Sequence, residues 1–150
     1  MDNGIIQKIK FEIEQIDDLI NESSPLLDLI KIKEPDFVER CGIALILQSF
    51  YNGIEKILLL IVKHIDKSLP NGIKWHKELL ENAFNETNSR TIIFKEEFKE
   101  TLSDYLQFRH FVRHSYGFQL KWERMKQLII DMNIVWEKIK NEINIFLENN

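Results

Sequence analysis

Residues 122–148, WERMKQLIIDMNIVWEKIKNEINIFLE, carry the most regular helical pattern in the chain. Their apolar residues recur alternately four and three positions apart, which places them on one face of an α-helix. The members of this stripe are Met125, Ile129, Met132, Trp136, Ile139, Ile143 and Phe146. Such a stripe is typical of core packing or of a dimer seam. The segment therefore predicts a long C-terminal helix with one covered face.

Four more helices are predicted N-terminal to this one. Pro35 suits the first turn of the second helix, because its missing N–H costs nothing there. Gly42 and Gly53 lie inside that helix and indicate close packing against a neighbour. Gly117 is expected to end the fourth helix as a C′ glycine. The five helices cover about 5–21, 35–67, 75–86, 92–116 and 122–148. The sequence thus predicts an all-α, up-and-down bundle of about five helices, forming one domain over residues 1–150.

The composition is that of a globular chain without disulfides. Of 150 residues, 44% are hydrophobic and only 5 are Gly and 3 are Pro, which favours helices over a turn-rich β fold. Cys41 is the single cysteine, so a reducing compartment is the default. The N-terminus lacks a signal-peptide pattern, and the longest apolar run, 57–62, is too short to span a membrane. We therefore expect a cytoplasmic protein without a membrane partner.

Charge is distributed unevenly along the chain. The net charge is −4, but residues 109–126 contain five basic residues against one acidic residue, which leaves −8 on the remainder. A local basic segment on an acidic body can bind a phosphate backbone, and the acidic body discourages non-specific binding. The alternative is that these basic residues form an ordinary solvated charged face, which would give the same numbers of basic and acidic residues.

The segment FRHFVRHSYG, residues 108–117, holds two arginines and two of the four histidines within six positions. His110 and His114 are four residues apart, so they lie one turn apart on one helix face. Arg109, Arg113 and Tyr116 are expected on a second face. Arg109 and His114 would flank a groove, since they lie about 140° apart around an ideal helix.

These residue types are suited to RNA cleavage. Arginines can clamp a phosphate and stabilise charge that develops on it. A histidine can take or give a proton near neutral pH. RNA carries its own nucleophile, the 2′-OH, so arginine and histidine can supply the chemistry without a metal.

Other interpretations of the same residues remain open. His110 and His114 have the spacing of a helical metal pair, but no third ligand is evident. Arg109 and Arg113 could instead be salt-bridge partners of acidic neighbours, with His110 at the surface. The isolated residues His64, His76 and Cys41 are given no functional role.

Arg109-x-x-x-x-His114-x-Tyr116 resembles the signature of the HepT-like branch of the HEPN ribonucleases, with His110 at the usual polar position after the arginine. Two more segments resemble family helices: residues 50–56, FYNGIEK, and Trp75-His76. The similarity extends over roughly residues 35–140. It implies an all-α bundle whose motif ends a late helix and is followed by a long final helix.

The resemblance also implies a function and partners. Family members of this branch are metal-independent RNases and homodimers in which two motif helices meet at the two-fold axis. They are toxins whose antitoxin, a minimal nucleotidyltransferase, transfers AMP to the motif tyrosine. On this chain, Arg109 would bind the scissile phosphate, His114 would act as general acid or base, His110 and Arg113 would assist, and Tyr116 would be modified.

Two functional hypotheses follow. The first is a metal-independent, cofactor-free RNA endonuclease toxin of a type VII toxin–antitoxin system, with a working site formed where two copies meet. The second is a non-catalytic nucleotide- or partner-binding helical module that accompanies a nucleotidyltransferase. A purely structural bundle with an incidental motif is a third interpretation.

Overall fold

A long central helix organises the fold, and the other helices pack around it. The computed structural model describes residues 1–150 and contains six α-helices and no strand. They are α1 Asn3–Glu22, α2 Ser24–Ile30, α3 Phe37–Ile61, α4 Trp75–Asn82, α5 Lys99–Arg113 and α6 Trp122–Asn149. The all-α prediction is confirmed. The sixth helix is α2, a short apolar segment before Pro35 for which the sequence predicts no separate helix.

The C-terminal helix α6 has the covered face that its pattern predicts. Every residue of the stripe from Met125 to Phe146 is buried. Trp136 lies at its centre, edge-on to Phe50 of α3 with ring centroids 6.2 Å apart. Its indole N–H donates to Asp17 of α1 at 2.7 Å. The stripe is therefore core packing rather than an open seam.

Helix α3 begins with a capping box. The backbone N–H of Glu39 donates to the Asp36 side chain, and the Glu39 carboxylate accepts from the Asp36 N–H, both at 2.9 Å. Pro35 precedes this cap, so its predicted place in the first helical turn is wrong. The helix runs on as a π turn, Val62–Asp66, and ends at Lys67, whose φ of 56° is left-handed.

The segment Phe37–Asp66 is long and apolar enough, by length and composition, to cross a membrane. Half of its most apolar window is buried inside the bundle. The core position of α3 therefore accounts for the apolar composition.

Gly53 of α3 lies directly against the side chain of Ile16 of α1. A Cβ at this position would lie 2.6 Å from Cγ1 of Ile16, which is buried. The predicted close packing is confirmed here. At Gly42 a Cβ would meet only Leu26 Cδ2, at an ordinary 3.6 Å.

These two glycines form a matched pair for a stability test. Gly53→Ala should lower the free energy of unfolding by about 1–3 kcal/mol, because the added methyl group overpacks the contact with Ile16. Gly42→Ala should raise it by up to about 1 kcal/mol, since alanine is the better helix former and the space is open. Urea unfolding measures both. Equal effects of the two substitutions would contradict the close approach.

Helix α5 is shorter than the predicted fourth helix at both ends. The apolar residues Ile93 and Phe94 are buried, but they lie in a turn in which both N–H groups donate to the Ala83 carbonyl, at 2.9 and 3.0 Å. The helix ends at Arg113, and Gly117 begins a separate 3₁₀ turn, Gly117–Gln119.

Gly117 is not the predicted C′ glycine, because its φ is not positive. Its small size serves packing instead. A Cβ there would lie 3.1 Å from Cζ of Phe37 and 3.3 Å from Sγ of Cys41. The chain after α5 is thus pressed against the first turns of α3. Helix α4 likewise ends early, at Asn82 rather than near residue 86.

Candidate functional site

Arg109 is the centre of a buried polar cluster between α3, α4 and α5. The residue is 1% exposed. Its two terminal nitrogens donate to the two carboxylate oxygens of Glu55, at 2.9 and 3.0 Å. The Nη1 atom also reaches Asn52 Oδ1 at 2.9 Å, and the guanidinium lies 4.9 Å from the ring centroid of Tyr51. This is a bidentate, charge-assisted pair, the strongest class of protein hydrogen bond.

His76 completes the cluster from the first turn of α4. Its Nδ1 lies 2.8 Å from Glu55 Oε2 and 2.9 Å from Arg109 Nη2. A carboxylate only accepts hydrogen bonds and an arginine nitrogen only donates them, so the tautomer of His76 decides whether Nδ1 donates to Glu55 or accepts from Arg109. The other ring nitrogen, Nε2, makes no hydrogen bond within the protein. The ring lies against Trp75, with centroids 3.6 Å apart.

Burial shapes the chemistry of the neighbouring Tyr51. Removal from water raises the pKa of its phenol, and the negative charge of Glu55 raises this pKa further. The Tyr51 hydroxyl and the Nε of Arg109 have no hydrogen-bond partner. The phenol is therefore a neutral wall of the cluster and not a base.

The two motif histidines lie on the outside of the bundle. His110 and His114 are exposed, and their rings meet edge to face with centroids 4.6 Å apart. The prediction that they are neighbours on one face is confirmed. His114 is the C-cap of α5, the last residue before the chain leaves the helix. The pair is accessible to a ligand in a way that Arg109 is not.

The predicted second face does not form as expected. Arg109 points into the core, whereas Arg113 and Tyr116 are exposed. The reason is that α5 ends at Arg113, so Tyr116 no longer follows the helical path. Arg109 of a single copy thus lies in the core, whereas His110, Arg113, His114 and Tyr116 lie at the surface.

The loop that carries Tyr116 is held at several points. Tyr116 is 74% exposed, and its ring stacks on Phe118 with centroids 5.7 Å apart and planes 4° from parallel. Its N–H donates to Gln119 Oε1 at 2.8 Å. Farther along, Arg40 of α3 donates through Nε to the Leu120 carbonyl at 2.9 Å. The phenol hydroxyl is thus presented to solvent on a fixed support.

The basic segment around the motif is open to solvent and to anions. Arg113, Lys121, Arg124 and Lys126 are exposed, and none of them makes an ion pair. The guanidinium of Arg124 lies 4.3 Å from the ring centroid of Phe111. These basic residues of the segment are therefore at the surface, and Arg113 is the one that directly precedes His114.

The alternative interpretations have mixed outcomes. The salt-bridge alternative is correct for Arg109 and wrong for Arg113. No group of three or more His, Cys, Asp or Glu side chains is arranged to hold a metal ion, so His110 and His114 lack a third ligand of these types. Cys41 is half-buried against Gly117 rather than fully buried.

Sequence reasoning missed the partners of Arg109: Glu55, Asn52 and His76. One signal for Glu55 was present, since it is a lone carboxylate inside an apolar helical stretch. A buried carboxylate requires a cationic partner. Nothing local identifies that partner, which lies 54 residues away on another helix.

Comparison with known proteins bears on the family of the chain. A family model described as HepT-like protein matches residues 42–150. This range covers most of α3 and all of α4, α5 and α6, and includes every residue of the Arg109 cluster and of the motif. No curated protein and no solved structure matches the chain significantly. The chain belongs to the HepT-like protein family.

Proposed function

We propose that this chain is a metal-independent RNA endonuclease toxin of a type VII toxin–antitoxin system. Membership of the HepT-like family is the observation that carries the proposal. The surface around His114 supports it, because the exposed pair His110 and His114 is accompanied by Arg113, which is also exposed and makes no ion pair. His114 is the proposed general acid or base, and His110 assists it.

The two motif arginines have different parts in the proposal. Arg113 is exposed and unpaired, so it can contact a phosphate without rearrangement. Arg109 can do so only when its ion pair with Glu55 opens, since both of its terminal nitrogens are engaged. Arg109 therefore remains the proposed phosphate ligand for an opened state. While the ion pair with Glu55 is formed, Arg109 contributes only to the packing beneath the exposed motif residues.

RNA cleavage by the purified chain tests the proposal. The chain alone should cut single-stranded RNA at a fixed set of positions, with and without a metal chelator, and should leave DNA of the same sequence intact because DNA lacks the 2′-OH. Loss of cleavage in the chelator would contradict the metal-free mechanism. Absence of cleavage by the folded chain under all conditions would favour the non-catalytic alternative.

The homodimer is part of the same proposal. Apolar side chains are exposed on this chain: Phe37, which lies against Gly117; Val38 and Leu45 on α3; and Phe118, which stacks on Tyr116. Covering them by a second copy would remove this surface from water. It would also bring two sets of His114 and Arg113 together. Light scattering coupled to size-exclusion chromatography measures the molar mass of the protein in solution. A monomeric mass at every protein concentration would contradict this part of the proposal.

Tyr116 is the proposed site of AMP transfer by a minimal nucleotidyltransferase partner. Co-expression with that partner should add mass to the chain in AMP-sized steps, and Tyr116→Phe should abolish the addition. The exposed hydroxyl makes the site accessible. The double variant Tyr116→Phe/Phe118→Tyr is a useful control, because it moves the phenol hydroxyl from position 116 to the stacked ring at position 118. It therefore tests whether the transfer requires a tyrosine at position 116 itself. Added mass that persists in Tyr116→Phe would place the modification elsewhere.

One observation favours a second candidate function, a non-catalytic nucleotide- or partner-binding module. Arg109 is buried and fully engaged with Glu55, which is the arrangement of a structural ion pair. On this view the exposed motif surface binds a nucleotide or the nucleotidyltransferase, and RNA stays intact. The RNA cleavage assay described above separates the two candidates.

A further inference from the structure

A groove of about 510 Å³ lies between α4 and α5, on the side of the bundle that carries His76 and His110. Its floor is apolar and includes Leu80, Phe84 and Leu106. Ser103 and Gln107 of α5 add neutral polar groups. An apolar concavity with a few polar groups at its edge is the usual form of a small-ligand site.

The rim of this groove is cationic although the chain as a whole is acidic. It is lined by Lys74, the N-cap of α4, by Lys77 of α4 and by Lys99 of α5, against the single carboxylate of Glu81. Lys74 and Lys77 make no ion pair, and Lys99 makes only a long contact, 3.8 Å, with the exposed Glu96. On a chain of net charge −4, such a rim concentrates positive potential where an anion can enter.

His76 gives the groove a positioned polar atom. Its Nδ1 is held between the buried Glu55 carboxylate and Arg109 Nη2, which fixes the orientation of the ring. The ring lines the groove, its side chain is 27% exposed, and Nε2 has no partner within the protein. A carboxylate that orients an imidazole in this way leaves the far nitrogen ready to bind a ligand.

The groove is continuous with the motif surface. His110 lines it, and the ring of His110 lies 4.6 Å from that of His114. His76 in turn contacts Arg109 Nη2 at 2.9 Å. A strand that occupied the groove would therefore lead directly to His114.

We propose that the groove between α4 and α5 is a subsite for single-stranded RNA that holds a nucleotide next to the one cleaved. The base lies on the floor of Leu80, Phe84 and Leu106, the lysines of the rim contact phosphates, and His76 contacts the strand through Nε2. A positive groove with an apolar platform is how proteins bind single strands without strong sequence preference. The choice of RNA as ligand rests on the proposed function.

The test is binding of a fluorescent 2′-O-methyl RNA of about ten nucleotides, a length within the usual site size, to the full chain by anisotropy. This RNA cannot be cut, because its 2′-OH is blocked, so binding is measured independently of cleavage. Lys77→Gln should weaken binding severalfold and lower the slope of log affinity against log salt by about 0.7. The matched control, Lys10→Gln on the exposed face of α1, should change neither quantity.

His76 is tested with two substitutions. His76→Asn keeps a donor near Nδ1 for Glu55 and removes Nε2, so it should weaken binding severalfold without lowering the melting temperature. His76→Gln retains an amide near the position of Nε2 and should bind more tightly than His76→Asn. If Lys77→Gln and His76→Asn bind like Lys10→Gln, or the wild type does not bind this RNA, the subsite is wrong. Binding with the expected losses but no RNA cleavage would uphold the subsite and reject the nuclease.

Discussion

Replacing His114 with alanine should lower the rate of RNA cleavage by about 100- to 10,000-fold, which is the usual contribution of a general acid or base. The loss should come without a loss of fold. His114 is exposed, caps the end of α5 through its backbone and has only its neighbour His110 in ring contact. A surface substitution of this kind changes the free energy of unfolding by less than about 0.5 kcal/mol.

The measurement compares cleavage of one RNA by the wild type and by variants at equal concentration. His110→Ala should show a smaller loss than His114→Ala, because His110 is proposed to assist. His64→Ala is the control, since His64 lies on the π turn outside the motif. Toxicity in cells should follow the same order. Cleavage at the wild-type rate by folded His114→Ala would refute the assignment of His114.

Removing either member of the Arg109–Glu55 pair should destabilise the fold by about 3–5 kcal/mol, because a buried charge is left without its partner. The two losses should differ. In Arg109→Ala, His76 can still donate to Glu55, so the cost should lie near the lower end of that range. In Glu55→Ala, the arginine has no carboxylate partner and keeps only its contacts with Asn52, His76 and the Tyr51 ring, so the cost should be larger.

Urea unfolding monitored by circular dichroism measures these free energies. Arg109→Met with Glu55→Leu should recover much of the loss, since apolar residues can replace both charges together. The resulting double-mutant cycle gives the coupling between the two residues. Lys31→Ala, which removes an exposed contact with Asp28, is the control and should cost no more than about 0.5 kcal/mol. An unfolding midpoint of Arg109→Ala equal to that of the wild type would refute the buried pair.

The stability of the Arg109 variants affects how their activity is interpreted. Loss of activity in Arg109→Ala does not by itself identify a phosphate ligand, because the same substitution weakens the packing of α3, α4 and α5. Activity of that variant has to be compared with the wild type at a temperature where both are folded. Arg109→Lys adds a sharper contrast: it keeps the charge but cannot make the bidentate contact with Glu55.

The sequence predicted the fold best where burial and helical periodicity coincide. The stripe of α6 is the clearest case, because a residue every three or four positions is needed to cover one core face. The prediction failed where residues are buried without being helical. Ile93 and Phe94 are core residues, yet their backbone N–H groups pair with the Ala83 carbonyl in a turn. The apolar character of a residue indicates that it is buried, but it does not indicate whether its backbone is helical.

The candidate functional site could be predicted only in part from the sequence, for a related reason. The order of Arg109, His114 and Tyr116 is a local pattern, and it can be found within one short stretch of sequence. The engagement of Arg109 depends on Glu55 and His76, which reach it from α3 and α4. Contacts between elements distant in sequence leave no spacing to detect. Equally, the expectation that Arg109 and Arg113 share a face assumed that burial is uniform along α5.

The bracing of the loop after α5 has a consequence for molecular recognition. Gly117 is seated on Phe37 and Cys41, and Arg40 holds the Leu120 carbonyl, so Tyr116 stands on a preformed epitope. A protein that engages this tyrosine can dock as a rigid body and has no ordering entropy of the loop to overcome. Substituting Arg40 would therefore act at a distance, slowing such an encounter while leaving every exposed contact atom of Tyr116 unchanged.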